Sequence, residues 1–391
     1  MKKNLSLFFR LLIVFFISIL ISLYLFETYL IFFEKKFIFR NIQKKYFDNT
    51  GKKYDFRTKY EIYGELKKIK EKISLNITPI SHLNKTNINI FPLSGISNVE
   101  TIHCNENGYY SIYNSDRYGF NNPDTEWDSN EIEYMLIGDS YTHGACVNRP
   151  YDIGSVLRNL SNKKVLNLGF TANGPLIQFA TLKEYLNSKI KKVIWIYYAG
   201  NDLSDLNREV NNKILNRYLK EDNFYQSLIL KQNEIDEINK KTLKNRINSE
   251  THNLEKNSRT KYKILKFIQL DKTKDKFRII FSKNDYRVEN INLFLEILMK
   301  AQKLVKDNNS EFYFVYLPDF YRYQDEKYPL DEEKIIEKLV NKLNIPIINI
   351  HELFFKNKDQ LKYYPFKVRH HYTKEGYEEI TKTIYENIKD K

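Results

Sequence analysis

The sequence predicts an α/β protein in which helices cover both faces of a parallel sheet, a three-layer α/β/α arrangement. From about residue 131 onward, short apolar segments alternate with longer helical segments. The apolar segments are rich in Ile, Val, Leu and Tyr with little polar alternation, which is typical of strands buried on both faces. Strands that alternate with helices favour crossover connections, and these make neighbouring strands parallel.

The predicted elements of this region follow one another along the chain. The strands are 133–137, 164–168, 192–198, 312–317 and 347–350. The helices are 151–160, 175–189, 291–306, 331–343 and 375–388. Pro175 stands where a helix begins, because the first turn of a helix tolerates the missing N–H of proline.

The N-terminal segment, residues 1–33, is predicted to be an uncleaved transmembrane signal anchor. A nearly unbroken apolar run extends from Leu11 to Phe26, and it continues past Glu27 to Phe33. With the apolar residues before Arg10, it is long enough to cross a hydrocarbon core of about 30 Å. No small-residue cleavage motif follows it. Positive charge lies on both sides of the run, so the positive-inside rule gives only a weak indication of orientation.

The remaining chain is predicted to have two parts. Residues 34–95 are charged and helix-prone at first, and they are interpreted as a juxtamembrane stalk. Residues 96–391 form the α/β domain. Within it, residues 203–288 are rich in Lys, Asn and Glu and predict a helical insertion. This insertion is either a lid over the site or a peripheral helical hairpin that does not contact substrate.

Charge and cysteine content narrow the expected partners. The formal net charge is +14, but the lysines are interleaved with acidic residues and no nucleic-acid-binding motif occurs. We therefore expect a solvated surface near an anionic membrane and no nucleic-acid partner. Cys104 and Cys146 fit no metal-binding pattern. In an exported domain they form either one disulfide or two unrelated thiols.

Four short motifs lie at the ends of predicted elements. Gly138-Asp139-Ser140 follows the first strand, the loop Asn167 to Gly174 follows the second, and Gly200-Asn201-Asp202 follows the third. His371 lies just before the last helix, where Thr373 is a plausible N-cap. Ligands of open α/β sheets bind at the carboxyl ends of the strands. Together the motifs offer a nucleophile, oxyanion donors and a base, which is the set that acyl transfer requires.

In this order the motifs resemble those of the SGNH, or GDSL-type, hydrolases, a family named for a Ser, a Gly, an Asn and a His in successive blocks. The resemblance extends from about Tyr118 to Gly376. It implies a flavodoxin-like three-layer fold and a serine esterase in which Ser140 is the nucleophile and His371 the base. His370 is the alternative base, but the spacing His-aromatic-Thr-x-x-Gly favours His371.

The resemblance also implies an oxyanion hole. Its donors would be the backbone N–H of Ser140, the side chain of Asn201 and a backbone N–H of the second block. In that block the family glycine aligns best with Ala172, and Gly174 is a near alternative. Neither a metal nor an organic cofactor is implied.

One position departs from the family pattern. An Asp usually stands two or three residues before the His, but Arg369 and Val368 occupy those positions here. A backbone carbonyl could orient the imidazole instead, or a carboxylate such as Asp202 or Asp319 could reach it. The remaining alternative is a weak or inactive protein, because loss of the orienting Asp can cost about 10⁴ in rate.

The expected substrates are esters. An exported, membrane-anchored location suggests O-acyl groups of envelope or extracellular polysaccharide, or lipid esters. Two alternatives stay open at this point. One is an O-acyltransferase that passes the acyl group to a glycan hydroxyl, and the other is a catalytically inactive, membrane-tethered glycan-binding protein.

Overall fold

The computed structural model describes residues 2–85, 88–281, 287–325, 328–356 and 358–389. Met1 of the predicted anchor and residues 282–286 of the predicted insertion lie outside this part. The strands are β1 (Ile73–Leu75), β2 (Glu100–Ile102), β3 (Ile112–Asn114), β4 (Ile132–Gly138), β5 (Val165–Asn167), β6 (Ile190–Tyr198), β7 (Glu311–Leu317) and β8 (Ile347–Asn349). The helices are α1 (Lys2–Tyr29), α2 (Lys35–Thr50), α3 (Lys59–Leu66), α4 (Ser140–His143), α5 (Ile153–Ser161), α6 (Pro175–Tyr185), α7 (Asp202–Glu209), α8 (Lys213–Lys220), α9 (Gln232–Ser258), α10 (Thr260–Ile268), α11 (Asp271–Phe281), α12 (Arg287–Asp307), α13 (Asp331–Lys342) and α14 (Lys374–Ile388).

The chain divides into two compact units, each built from two stretches of sequence. The first unit contains Met1–Tyr54 and Arg246–Asn284, and the second contains Asp55–Asn245 and Asp285–Lys391. The predicted boundary at residue 95 is therefore wrong, because Phe91 is fully buried in the core of the second unit. The predicted insertion 203–288 is also not one body, since its first part belongs to the second unit and its middle part to the first.

The second unit is organised around a parallel sheet with the order β5-β4-β6-β7-β8 among the described residues. This is the flavodoxin-like order, in which the chain moves to one edge and then crosses back to build the other. The prediction of a three-layer parallel α/β fold is confirmed. The point at which the order reverses lies between β4 and β6, and ligands of such sheets bind outside the carboxyl ends of strands at that point.

Two layers of helices cover this sheet because its central strand is apolar on both faces. Successive side chains of a strand point to opposite faces. Trp195 and Tyr197 of β6 are buried in one core with residues of α6 and α12. Ile194 and Ile196 of the same strand are buried in the other core with residues of α5 and α14. The continuous apolar run that predicted this strand is thus explained by burial on both sides.

A smaller sheet, β1-β2-β3, also belongs to the second unit. Strand β1 pairs with β2 in parallel, and β2 pairs with β3 antiparallel. The chain leaves β2 toward Cys104, which forms a disulfide with Cys146 in the segment after α4. Of the two possibilities that the sequence left open for the cysteines, the structure has the disulfide.

The first unit consists of helices. Its N-terminal helix is long and apolar enough to cross a membrane. None of the residues in the most apolar stretch of this helix is buried. A π-helical turn over Leu30–Glu34 connects α1 to α2. From the later stretch of sequence, α10 and α11 pack near the C-terminal end of α1, where Tyr24 of α1 stacks near Phe267 of α10.

Candidate active site

Ser140 lies at the carboxyl end of β4, at the first position of α4. The side chain of Asp139 caps this helix by accepting a hydrogen bond from Tyr141 N at 2.8 Å. Gly138 is required by close packing, because a Cβ there would collide with Thr142 Oγ1 and lie 2.6 Å from Ile196 O. The strand, the glycine and the capped helix therefore hold Ser140 at the edge of the sheet where a ligand would bind.

His371 is placed beside Ser140 by the last helix. Thr373 caps α14 by accepting a hydrogen bond from Gly376 N at 3.2 Å, as the sequence predicted, and His371 stands two residues before this cap. His371 Nε2 lies 2.8 Å from Ser140 Oγ. The ring centroid of Tyr141 is 4.9 Å from that of His371 and limits its movement.

Glu106 completes this set from a part of the chain that the sequence motifs do not include. Its Oε2 atom lies 2.9 Å from His371 Nδ1 and also accepts a hydrogen bond from His371 N at 2.6 Å. Such contacts fix the imidazole with Nδ1–H toward the carboxylate and leave the Nε2 lone pair facing Ser140 Oγ. Ser140, His371 and Glu106 thus form a continuous chain of hydrogen bonds.

The carboxylates suggested by the sequence for this position have other partners. Asp319 accepts a hydrogen bond from Tyr198 Oη at 3.2 Å, and Asp202 accepts one from Tyr198 N at 3.0 Å. The prediction that either of them reaches His371 is not met. Arg369 and Val368 offer no carboxylate at the usual position, and the carboxylate beside His371 Nδ1 is that of Glu106, which follows β2.

Charge coupling between Glu106 and His371 is visible in their pKa values. Burial alone would raise the pKa of Glu106, but the attraction of His371 and hydrogen bonds from His370 and His371 hold it well below its usual range. Burial alone would lower the pKa of His371, but the charge and hydrogen bond of Glu106 raise it above the ordinary histidine value. Both shifts stabilise a carboxylate beside an imidazolium, which is the ion pair formed when His371 takes a proton.

Two backbone N–H groups remain available to an oxyanion. Within the described residues, neither Ser140 N nor Ala172 N donates a hydrogen bond. Ala172 has a φ of 61°, in the left-handed region that favours glycine. Gly174 N, the other predicted donor, is occupied by Glu209 Oε1 at 2.6 Å.

Glu209 fixes the loop that carries Ala172. Besides Gly174 N, its carboxylate accepts hydrogen bonds from Leu176 N at 2.9 Å and Ile177 N at 3.2 Å, which are free N–H groups of the first turn of α6. A second restraint comes from the small sheet, since His103 Nε2 lies 2.7 Å from Thr171 Oγ1. The loop that carries Ala172 is therefore held by Glu209 and by His103.

Asn201 lies after β6, at the start of α7. Its Nδ2 atom donates to Asp205 Oδ2 at 2.9 Å. Burial raises the pKa of Asp139, and the amide of Asn201 opposes this shift. Burial raises the pKa of Asp205 to about 6. Asn201 is thus oriented by a neighbouring carboxyl group. An amide nitrogen has two N–H bonds, and an oxyanion would compete for them with the carboxyl groups of Asp205 and Asp139.

Glu106 could have been found only through the cysteines. It stands two residues after Cys104, and the disulfide ties that segment to Cys146, six residues after Ser140. Had the disulfide been assumed, the acidic residue nearest to Cys104 would have been a candidate. Motif spacing gave no such signal, because 265 residues separate Glu106 from His371.

The same corner is the place where a metal ion would be considered. Glu106, Cys146 and His371 present potential ligand atoms within 4.8 Å of one another. The sulfur of Cys146 is bonded to Cys104, and a disulfide sulfur is not the thiolate that metal ions bind. This leaves one carboxylate and one imidazole, which already bind each other.

Comparisons with known proteins give partial likenesses. No family model matches the chain, and no curated protein matches it. A lipolytic protein of the G-D-S-L family from Desulfitobacterium hafniense is 14% identical, with a TM-score of 0.35 over 66% of this chain and 100% of its own. A member of the same family from Veillonella parvula is 12% identical, with a TM-score of 0.36 over 66% of this chain and 98% of its own. An acetyl xylan esterase is 10% identical, with a TM-score of 0.37 over 66% of this chain and all of its own.

Proposed function

We propose that this protein is a serine esterase in which Ser140 is the nucleophile, His371 the general base and Glu106 the residue that orients the base. The observation that carries the proposal is the chain of contacts from Ser140 Oγ to His371 Nε2 at 2.8 Å and from His371 Nδ1 to Glu106 Oε2 at 2.9 Å. A nucleophile, a base and an orienting group within hydrogen-bond reach are what acyl transfer through a covalent intermediate requires.

The first half of the reaction forms an acyl-enzyme. Ser140 Oγ attacks the ester carbonyl carbon while its proton passes to His371 Nε2. The carbonyl π electrons move to the oxygen, which becomes an oxyanion. Collapse of this intermediate breaks the bond to the alcohol, and His371 returns its proton to the leaving oxygen. Glu106 remains ionised and stabilises the imidazolium throughout.

We assign the stabilisation of the oxyanion to three hydrogen-bond donors. Ser140 N and Ala172 N are the two backbone donors, and Asn201 Nδ2 is the side-chain donor. Loss of a single oxyanion donor costs about 10²–10³ in kcat in serine hydrolases, so each is expected to matter. Gly174 is left out of this proposal because its N–H is bonded to Glu209.

The second half releases the acyl group. A water molecule, or the hydroxyl of an acceptor, loses a proton to His371 Nε2 and attacks the acyl carbonyl carbon. The bond to Ser140 Oγ then breaks, and Ser140 recovers the proton from His371. Water gives hydrolysis, whereas a glycan hydroxyl gives the O-acyltransferase that the sequence left as an alternative. The inactive alternative rested on the missing Asp, and Glu106 removes that reason.

The location of the protein supports a class of substrate. The N-terminal helix would anchor the chain in a membrane, and a disulfide is typical of a compartment outside the cytoplasm. We therefore propose a single-pass protein whose esterase domain is extracytoplasmic. The esters within its reach are O-acyl groups of envelope or extracellular polysaccharide and lipid esters.

The test is labelling of the full-length protein by a fluorophosphonate, which reacts with activated serines. We expect labelling of the wild type and its loss in Ser140→Ala and His371→Ala. Ser129→Ala is the matched control, because Ser129 precedes the opposite, amino-terminal end of β4 and should leave labelling intact. A folded wild type that does not label would overturn the proposal and favour the inactive, glycan-binding alternative.

Hydrolysis and transfer are separated by a second measurement. An acetylated oligosaccharide is incubated with wild-type protein that has been shown to react with the fluorophosphonate. The incubation is done with and without an unacetylated acceptor glycan. Free acetate that is unaffected by the acceptor supports the esterase. Acetate that moves to the acceptor in preference to water supports the transferase.

A further inference from the structure

The helical pair α10–α11 is bound to the predicted membrane anchor by specific contacts within the first unit. Tyr24 Oη of α1 donates a hydrogen bond to Ile268 O, the last residue of α10, at 3.0 Å. Glu27 of α1 accepts hydrogen bonds from Lys272 N at 3.0 Å and from Thr273 N at 2.7 Å at the start of α11. The connection between α10 and α11 therefore lies at the level of Tyr24 and Glu27 on the anchor.

The contact with α11 covers the side chain of Glu27. It is fully buried, although it belongs to a helix whose neighbouring side chains are largely exposed. Besides the two backbone N–H groups, Thr273 Oγ1 donates to it at 2.8 Å. A carboxylate in an apolar helix is costly unless protein groups satisfy it, and here the first turn of α11 supplies the donors.

An exposed apolar surface lies next to this contact. Ile264, Leu265 and Ile268 of α10 are 54%, 48% and 57% exposed. Ile268 lies four residues after Ile264 and three after Leu265, and residues three or four apart are neighbours on a helix, so the three side chains form a single patch. On α1, Ile21 lies three residues before Tyr24 and Leu25 lies directly after it, and these side chains are 55% and 66% exposed. The patch on α10 thus continues the exposed apolar surface of the anchor.

The charges around the patch are basic. From Arg246 to Phe281 the sequence has ten Lys or Arg residues against four Asp or Glu residues. Lys261 and Lys263 are exposed on the same helix as the patch. An apolar stripe flanked by lysines is typical of a helix that lies in the headgroup region of an anionic membrane.

We propose that α10–α11 is an interfacial membrane element, which inserts Ile264, Leu265 and Ile268 into the lipid leaflet where the anchor leaves the bilayer. The proposal rests on the anchor being a membrane helix. We assign the patch to lipid rather than to a second copy of the chain for two reasons. The patch is continuous with the exposed surface of the anchor, and the lysines that flank it match anionic headgroups. The middle of the sequence insertion then serves as a second attachment to the membrane.

The experiment uses the full chain in nanodiscs that contain an anionic phospholipid and a phospholipid brominated on its acyl chains. Cys104 and Cys146 are bonded to each other, so one added cysteine is the reactive thiol to which a bimane fluorophore is attached. Ile264→Cys and Ile268→Cys probe the patch. Lys263→Cys is the matched control on another side of α10, and Phe15→Cys reports on the anchor itself.

Bromine quenches bimane only at short range. We expect quenching at positions 264 and 268 comparable to that at position 15, and less than half as much at position 263. Quenching at 15 without quenching at 264 and 268 would overturn the interfacial element while leaving the anchor in place. A blue-shifted but unquenched signal at 264 would mean that protein covers the patch, which also overturns the proposal.

If position 15 is not quenched either, the anchor fails and the interfacial element fails with it. The esterase proposal is tested separately, because fluorophosphonate labelling of Ser140 does not depend on either result. Retained labelling of the Ile264→Cys and Ile268→Cys proteins shows that these variants are folded. The two proposals can therefore fail independently.

Discussion

Glu106 Oε2 lies 2.9 Å from His371 Nδ1, although 265 residues separate the two along the chain. The contact joins the segment that follows β2 to the turn that precedes α14. It places a carboxylate where the sequence motif, with Arg369 and Val368, has none.

Replacing Glu106 should remove the orientation of the base. We expect Glu106→Gln to lower kcat/KM for a p-nitrophenyl ester by about 10²–10⁴, because an amide can present N–H to Nδ1 and favour the wrong tautomer. Asp319→Asn is the control, since Asp319 contacts Tyr198 rather than His371. A Glu106→Gln protein with wild-type kcat/KM would show that the carboxylate has no such role.

The activity should depend on the protonation of His371. A general base must be neutral, and its pKa here is raised above the ordinary histidine value by Glu106, although burial opposes the shift. The acid limb of kcat/KM should therefore have its midpoint above about 6.5. In Glu106→Gln the midpoint should move to lower pH while the plateau falls. A midpoint that does not move in the variant would contradict the coupling.

The disulfide should support both stability and activity. It closes a loop of 42 residues, for which the chain-entropy model gives about 4 kcal/mol of stabilisation. We expect Cys104→Ser to lower the free energy of unfolding in guanidinium by about 2–4 kcal/mol. Its kcat should also fall, because the segment that carries Glu106 loses its tether to the segment after Ser140.

Reduction gives an independent check on the disulfide. Dithiothreitol should lower the activity of the wild type and have no further effect on a protein with both cysteines replaced by serine. Full activity of the wild type after thiol titration has confirmed reduction would argue against the tether.

The backbone conformation at position 172 should suit glycine better than the alanine that is present. Its φ of 61° is strained for a residue with a Cβ, whereas glycine adopts it freely. We expect Ala172→Gly to raise the free energy of unfolding by about 0.5–1 kcal/mol and to keep activity, because the backbone N–H stays. Ala180→Gly inside α6 is the matched control, and it should destabilise by about 1 kcal/mol. A destabilised Ala172→Gly protein would contradict the strain argument.

Ala172→Val tests the same position in the other direction. A β-branched side chain is least compatible with a positive φ, so both stability and kcat should fall. Thermal unfolding and ester hydrolysis measure the two effects. If Ala172→Val lowers the stability but leaves kcat unchanged, the backbone conformation at residue 172 does not affect the donation of a hydrogen bond to the oxyanion.

The sequence by itself determined the parallel sheet and the places of three candidate site residues. Strand β6 is apolar without interruption from Val193 to Tyr198 because both of its faces are buried there, and that pattern is local. Ser140, Asn201 and His371 each follow or precede an element with a clear boundary. Since carboxyl ends of parallel strands meet at one edge, their convergence was predictable, and Ser140 and His371 do meet at 2.8 Å.

Only the tertiary structure distinguished the two candidate donors in the loop Asn167 to Gly174, because it shows which backbone N–H is already bonded. Ala172 and Gly174 are two residues apart, and no local rule separates them. The choice depends on Glu209, which occupies Gly174 N from a different helix, and on the left-handed backbone of Ala172. A hydrogen bond to a distant carboxylate leaves no periodic trace in the sequence.

The tertiary structure also decided which carboxylate contacts His371 and where the second unit begins. Glu106 reaches His371 because the small sheet packs into the second unit and a disulfide holds its outgoing segment near α4. Residues 55–95, read from their charge as a stalk, belong to that same unit. Secondary structure follows from local periodicity, but the pairing of segments far apart in sequence follows from packing. Glu106, fixed by such a pairing, was therefore out of reach of the motifs.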